Sequence, residues 1–212
     1  MSIIRLWHAA IAVLAAVALV GQAVLILDNG AGLTNFFSYF TVESNILVMV
    51  AAALIAVRSD RGGTAFGILR LAGLVGITIT GIIFATVLAG KADFEGLAWW
   101  YDKIFHYVIP AMAVIGFLFM RPRTRLATNA LWFIAWPVAW LAYTLIRGGV
   151  AHPGFAVSNT RTSDFPYDFL DYDRHGAGFV TVVTLGVTVL ALALAWGYVK
   201  LSQRTAGSAA AA

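Results

Sequence analysis

Apolar residues run through this chain in long stretches separated by short polar or glycine-rich segments. The stretches cover Leu6–Leu27, Phe37–Val57, Ile68–Ala89, Ile104–Met120, Asn129–Arg147 and Gly176–Val199. As helices rising ~1.5 Å per residue, runs of about twenty residues cross ~30 Å of hydrocarbon. The pattern predicts an all-α integral membrane bundle of six transmembrane helices. No internal repeat is evident, so residues 1–200 are expected to form one domain, with residues 201–212 a disordered, Ala-rich tail. The first run follows Arg5 and could mimic a signal peptide. It is too long for an ordinary signal core, and Gly21-Gln22-Ala23 is a poor cleavage site, so a first span is expected.

Composition agrees, with 61% hydrophobic and only 11% charged residues. The chain has no cysteine, which removes disulfides and thiolate chemistry. The net charge of +4 is explained by its placement, not by a nucleic-acid partner. Arg5, Arg58, Arg61, Arg70, Arg121, Arg123, Arg125, Lys200 and Arg204 flank one set of span ends, with Asp60 among them. Asp28, Asp93, Glu95, Asp102, Asp164, Asp168, Asp171 and Asp173 lie at the other. The positive-inside rule then puts both termini in the cytoplasm of a multi-pass cell-membrane protein.

Polar residues inside the spans change the picture. Ser38, Thr41 and Asn45 recur on one helical face of span two, with Ser44 beside them. Polar groups at membrane depth face a bundle interior or a wet cavity. Glu43 needs a partner there, for which Arg147 is favoured and Lys103 second. In span three, Gly73, Gly76 and Gly81 point to close helix packing. Span four follows an interfacial trio, Trp99-Trp100-Tyr101, and carries His106 one turn after Asp102 and one turn before Pro110. A carboxylate at i−4 can orient an imidazole, and Pro110 lacks the N–H that would bond the His106 carbonyl. Counting residues from the span ends puts Thr41 and His106 at similar depth. His8 lies near the opposite end of the bundle, where an imidazole reaches headgroups or water. The connection from His152 to Arg174 is either a lid over the bundle mouth or a solvated loop.

Three of these pieces together resemble a known family. They are Ser38-Tyr39-Phe40-Thr41 with Asn45, His106 with Pro110, and Tyr167-Asp168-Phe169-Leu170-Asp171. The chain resembles, over spans two to six, the androgen-induced and androgen-dependent TFPI-regulating protein family of six-span membrane hydrolases, especially its bacterial relatives. That resemblance implies cleavage of fatty acid esters of hydroxy fatty acids, with Thr41 as nucleophile and His106 as base. The proline of the family's Tyr-Pro-Phe-Leu-type segment is displaced here to Pro166, and the preceding loop is longer, so the lid and the substrate are where this chain departs.

The residues suit such chemistry. An internal threonine needs a neighbouring base, His106 can supply it, and Asp102 would steady the imidazolium. Asn45, a turn below Thr41, is the expected oxyanion donor. Arg147, Lys103, Glu43, Ser38 and Tyr167 are the expected substrate-binding residues, Arg147 or Lys103 holding an acidic group. A lipid ester would arrive from the bilayer, on the extracytoplasmic side, with no cofactor or metal required. The main rival is a proton- or ion-coupled transporter using Glu43, His106 and Arg147 as a relay, although no internal repeat marks alternating access. A metal or haem site built on His106, His152 and His175 lacks tight ligand spacing. A scaffold would not explain the polar stripe.

Overall fold

The computed structural model describes residues 2–91, 94–120 and 125–207, with side chains as far as 203. Arg121, Arg123, Asp93 and the side chain of Arg204 lie outside the described residues. Six helices are long and apolar enough to cross a membrane: Ile3–Asp28, Phe40–Val57, Thr64–Leu88, Gly96–Phe119, Thr128–Ala151 and Ala177–Gln203. The protein is an all-α, multi-pass membrane bundle. Span six continues as helix to Gly207, past the expected boundary at residue 200, because Ser202 and Gln203 dock on the backbone of Leu126. Residues 208–212 of the expected tail lie outside the described residues.

Span three is the hub. It packs on spans two, four and six and on the opening turns of span five. Leu71, Leu74 and Val75 meet Phe117, Phe133 and Ala195 on one side of it. On the other side, Ile77 joins Val48, Ala52, Ile11 and Ala15. Small residues at these contacts let helix backbones approach closely, which replaces hydrophobic driving force within lipid. At Gly81, a Cβ would stand only 3.1 Å from the Pro110 ring.

Three spans depart from regular α geometry. Span four begins at Gly96, so Trp99, Trp100 and Tyr101 sit on its first helical turns and not in a loop. It passes through a π-helical turn at Ile104–Val108 before resuming at Ile109. Span three ends in a second π turn, Phe84–Leu88. Span five opens as 3₁₀ helix over Thr128–Ile134. Arg70, expected at a span end, is instead buried inside span three against His8.

The connection after span five is a folded cover. It forms a hairpin, β1 (Phe155–Ser158) paired with β2 (Arg161–Ser163), then a 3₁₀ turn at Asp168–Leu170 and a helical turn at Tyr172–His175. Phe165 and Leu170 are buried with Val180 of span six, and Phe165 occupies the space a side chain would need at Gly148. The Ser163 hydroxyl donates to Asp171 Oδ2 at 2.7 Å. Asp168 is clasped by Arg161 and by Arg174, the latter at 2.8 Å. Burial works against the Asp168 anion, but Arg161 and His175 outweigh it and hold the carboxyl below the usual carboxylate range.

Candidate active site

Thr41 sits in the first turn of span two, whose N-cap is Tyr39. Its hydroxyl lies 3.3 Å from His106 Nε2. The other ring nitrogen of His106 faces two groups that can only accept, Asp102 Oδ1 at 3.0 Å and the Asp102 carbonyl at 2.9 Å. Nδ1 therefore carries the proton and Nε2 presents its lone pair to Thr41, the polarity a general base requires. Phe84, in the π turn of span three, stacks on the imidazole with centroids 3.8 Å apart and planes 15° from parallel. Two π turns thus face each other across this contact, one carrying His106 and the other its aromatic cover. Such turns are frequent at functional sites.

The π turn also alters what Pro110 does. In this register a carbonyl bonds the amide five residues on, as Ile104 does with Ile109. The carbonyl deprived by Pro110 is then that of Phe105, not that of His106 as α geometry predicts. Asn45 supplies the missing donor. Its Nδ2 lies 3.4 Å from the Phe105 carbonyl and 2.8 Å from the Thr41 carbonyl. This corrects the expectation that Asn45 serves an oxyanion: its amide hydrogens are spent on backbone, and it clasps spans two and four.

The other expected site residues divide. Lys103 Nζ donates to Asp102 Oδ2 at 2.9 Å and lies over the Phe84 and Trp99 rings. Arg147 donates to Ser38 Oγ at 3.0 Å and Asn35 Oδ1 at 2.7 Å, with its guanidinium against Phe155. Glu43 is paired with neither cation, contrary to expectation. Its Oε2 accepts from Trp136 Nε1 at 2.6 Å. Trp136 and Arg147, eleven residues apart, lie on nearly the same face of span five, and depth separates them: Trp136 is level with Glu43, whereas Arg147 is three turns nearer the outer end, beside Ser38 and Asn35. Glu43, His106 and Arg147 are each held by different partners and form no direct relay.

Tyr167 reaches the centre from the cover. Its hydroxyl is 3.2 Å from the Thr41 amide and 3.3 Å from Thr41 Oγ1. Its ring stacks on Phe169 and meets Tyr39 edge-on. Burial first, and the Glu43 charge less so, raise its phenol above the ordinary range, against the pull of its hydrogen bonds with Thr41 and the Phe40 amide. It stays a neutral donor.

Thr41 and Tyr167 stand in the wall of a cavity of about 120 Å³ between spans three, five and six. Val75, Ile83, Phe133, Leu141 and Val187 give it an apolar lining. It extends to Val138, which is 57% exposed on the lipid-facing surface. Arg147, Lys103, Glu43 and Ser38 are not in that wall. Among the described residues no three potential ligands gather around a metal position, and His152 pairs instead with Asp164 at 2.8 Å. No family model, curated protein or solved structure matches this chain.

Sequence reasoning does not single out Phe84, and reads Trp136, with Trp140 at i+4, only as a residue that packs in the bundle. Aromatic residues are ordinary in an apolar span, so neither carried a signal.

Proposed function

We propose that this protein is an intramembrane hydrolase of lipid esters, with Thr41 as nucleophile and His106 as base. The observation that carries the reading is the directed contact Thr41 Oγ1–His106 Nε2, made at the wall of an apolar cavity reaching the lipid-facing surface. In the first step Thr41 Oγ1 bonds to the ester carbonyl carbon, its proton passes to His106 Nε2, and the carbonyl π pair moves onto oxygen. Collapse of that tetrahedral species breaks the bond to the alcohol oxygen, which leaves with the proton from His106. Water then attacks the acyl-threonine, His106 again taking and returning a proton, and the acid is released.

Asp102 fixes the imidazole from Nδ1, and the Phe84 face lies against the ring that becomes cationic. The cavity is smaller than the ~150 Å³ that admits benzene elsewhere, so it holds only a short stretch of acyl chain. A longer tail would continue past Val138 into lipid. Under the positive-inside rule, this site belongs to the extracytoplasmic half of a cell-membrane protein.

A long-chain fluorophosphonate should label the purified protein at Thr41, and Thr41→Val should abolish both labelling and hydrolysis of acyl esters while the protein stays folded. Wild-type turnover by Thr41→Val would defeat the assignment.

A further inference from the structure

A tetrahedral intermediate on Thr41 needs a donor for its anionic oxygen, and Asn45 is committed elsewhere. The polarity of the surrounding hydrogen bonds identifies one. His106 Nδ1 is bound to acceptors alone, so Nε2 accepts and the Thr41 hydroxyl donates to it. The Tyr167 oxygen takes the Thr41 amide hydrogen, which leaves the phenol's own proton to be given away. At the remaining contact, 3.3 Å between Tyr167 and Thr41 oxygens, Thr41 has already spent its proton on His106. Tyr167 is the donor there. The hydrogen bonds therefore run in one direction, from Tyr167 through Thr41 to His106.

We propose that Tyr167 is a catalytic residue of this site, its hydroxyl passing its hydrogen bond from Thr41 Oγ1 to the ester carbonyl oxygen as that oxygen becomes anionic. When Thr41 attacks, the lone pair that accepted from Tyr167 is drawn into the new C–O bond. Oγ1 keeps the pair left by its departing proton but becomes a weak, ether-like acceptor, so the Tyr167 proton turns to the stronger one, the developing oxyanion on the carbon that Oγ1 has just joined. No covalent bond to Tyr167 forms or breaks, and its proton stays on the phenol. Such a contact is absent from the planar ester and made only as charge develops, so it lowers the barrier without tightening ground-state binding. The first-turn amides of Phe40 and Thr41, which have no acceptor within their helix, touch the same phenol oxygen. They are freed to join Tyr167 as its hydroxyl turns. Because Tyr167 belongs to the folded cover and not to a span, the site is complete only when that cover is seated on the bundle.

This inference rests on the hydrolase reading, and the test separates the two. The full chain in nanodiscs is compared with Tyr167→Phe, which keeps the ring that stacks on Phe169. Three measurements are made: turnover of p-nitrophenyl hexanoate, inhibition by hexylboronic acid, which becomes tetrahedral on a nucleophile, and binding of a planar hexanamide. The expected result is a kcat lower by about 100-fold or more, a matching loss of boronate affinity, and KM and amide affinity nearly unchanged. Unchanged kcat in Tyr167→Phe, with Thr41→Val inactive, overturns the role of Tyr167 and leaves the hydrolase standing. Equal losses for boronate and amide also overturn it, since they show only a displaced cover. Absence of any Thr41-dependent turnover in the wild type overturns both.

Discussion

The bundle holds two intramembrane histidines in nearly the same local geometry, one near each end, His8 buried and His106 partly so. His8 and His106 both direct Nδ1 to the carbonyl one turn back, Ile4 at 2.8 Å and Asp102 at 2.9 Å. Both therefore present Nε2 as an acceptor. They differ in what faces it. His106 faces the Thr41 hydroxyl, which can surrender a proton and belongs to a residue of the cavity wall. His8 faces Arg70 Nη2 at 3.3 Å, a cation that only donates, with both side chains buried. A proton on His8 would set two positive charges together in a membrane interior. Under the proposed function one imidazole is the base, while the other satisfies a buried guanidinium. An intramembrane histidine is thus assigned by the partner of its second nitrogen, not by its depth or tautomer.

The largest expected effect breaks the two apart. His106→Ala should reduce ester hydrolysis to background, and adding Thr41→Ala should cost little more, because residues acting as one unit are not additive. His8→Ala should leave kcat per folded molecule unchanged and lower thermal stability in detergent. The stability loss should be about 1–3 kcal/mol, the usual range for leaving a buried donor unpaired. If His8→Ala removed activity without loss of stability, the comparison would be wrong.

A smaller effect is expected at Asp102, where the two histidines differ by one carboxylate. Asp102→Asn should lower kcat by well under the ~10⁴-fold seen when a triad aspartate is amidated. Two features moderate the loss. The Asp102 backbone carbonyl still accepts from Nδ1 and keeps the tautomer, and Lys103 already neutralises the carboxylate. A loss as severe as that of His106→Ala would show that the carboxylate charge, and not orientation, is what His106 needs.

Much of this arrangement is legible in the sequence, and the rest fails for identifiable reasons. Six spans follow from run length alone. The stripe Ser38, Thr41 and Asn45 stands out because polar groups inside an apolar run are costly enough to need a reason. The similar depth of Thr41 and His106 follows from helical rise. What is illegible depends on register and on the relative depth of residues in neighbouring spans. Pro110 marks a disturbed hydrogen bond, but whether Phe105 or His106 loses its donor is decided by the π turn, which Asn45 helps to satisfy from another span. Trp136 and Arg147 share one face of span five, so its pattern does not say which of them is level with Glu43, and Trp136 takes the place of the expected Arg147. Interfacial Trp and Tyr point to a span four that begins after its aromatic trio, yet such residues sit equally well on the first helical turns, as they do from Gly96.

The smallest expected effect concerns that displaced pair. Were Glu43 and Arg147 an ion pair, removing one would strand a buried charge, and removing both would cost less than the sum of the single changes. Their observed partners are separate: Glu43 is held by Trp136, and Arg147 by Ser38 and Asn35. Glu43→Gln and Arg147→Gln should therefore be additive within about 0.5 kcal/mol when unfolding is followed thermally in one detergent. Each single change has its own mechanism. Glu43→Gln keeps an oxygen for the Trp136 indole and should be mild. Arg147→Gln releases both Ser38 and Asn35, whose amide also holds the Pro153 carbonyl at 2.9 Å, and should loosen the start of the cover. A coupling near zero with Arg147→Gln the more damaging single change would fit these contacts. A coupling above 1 kcal/mol would restore the direct pair and require span five to shift along its axis, carrying Trp136 and the cavity wall with it.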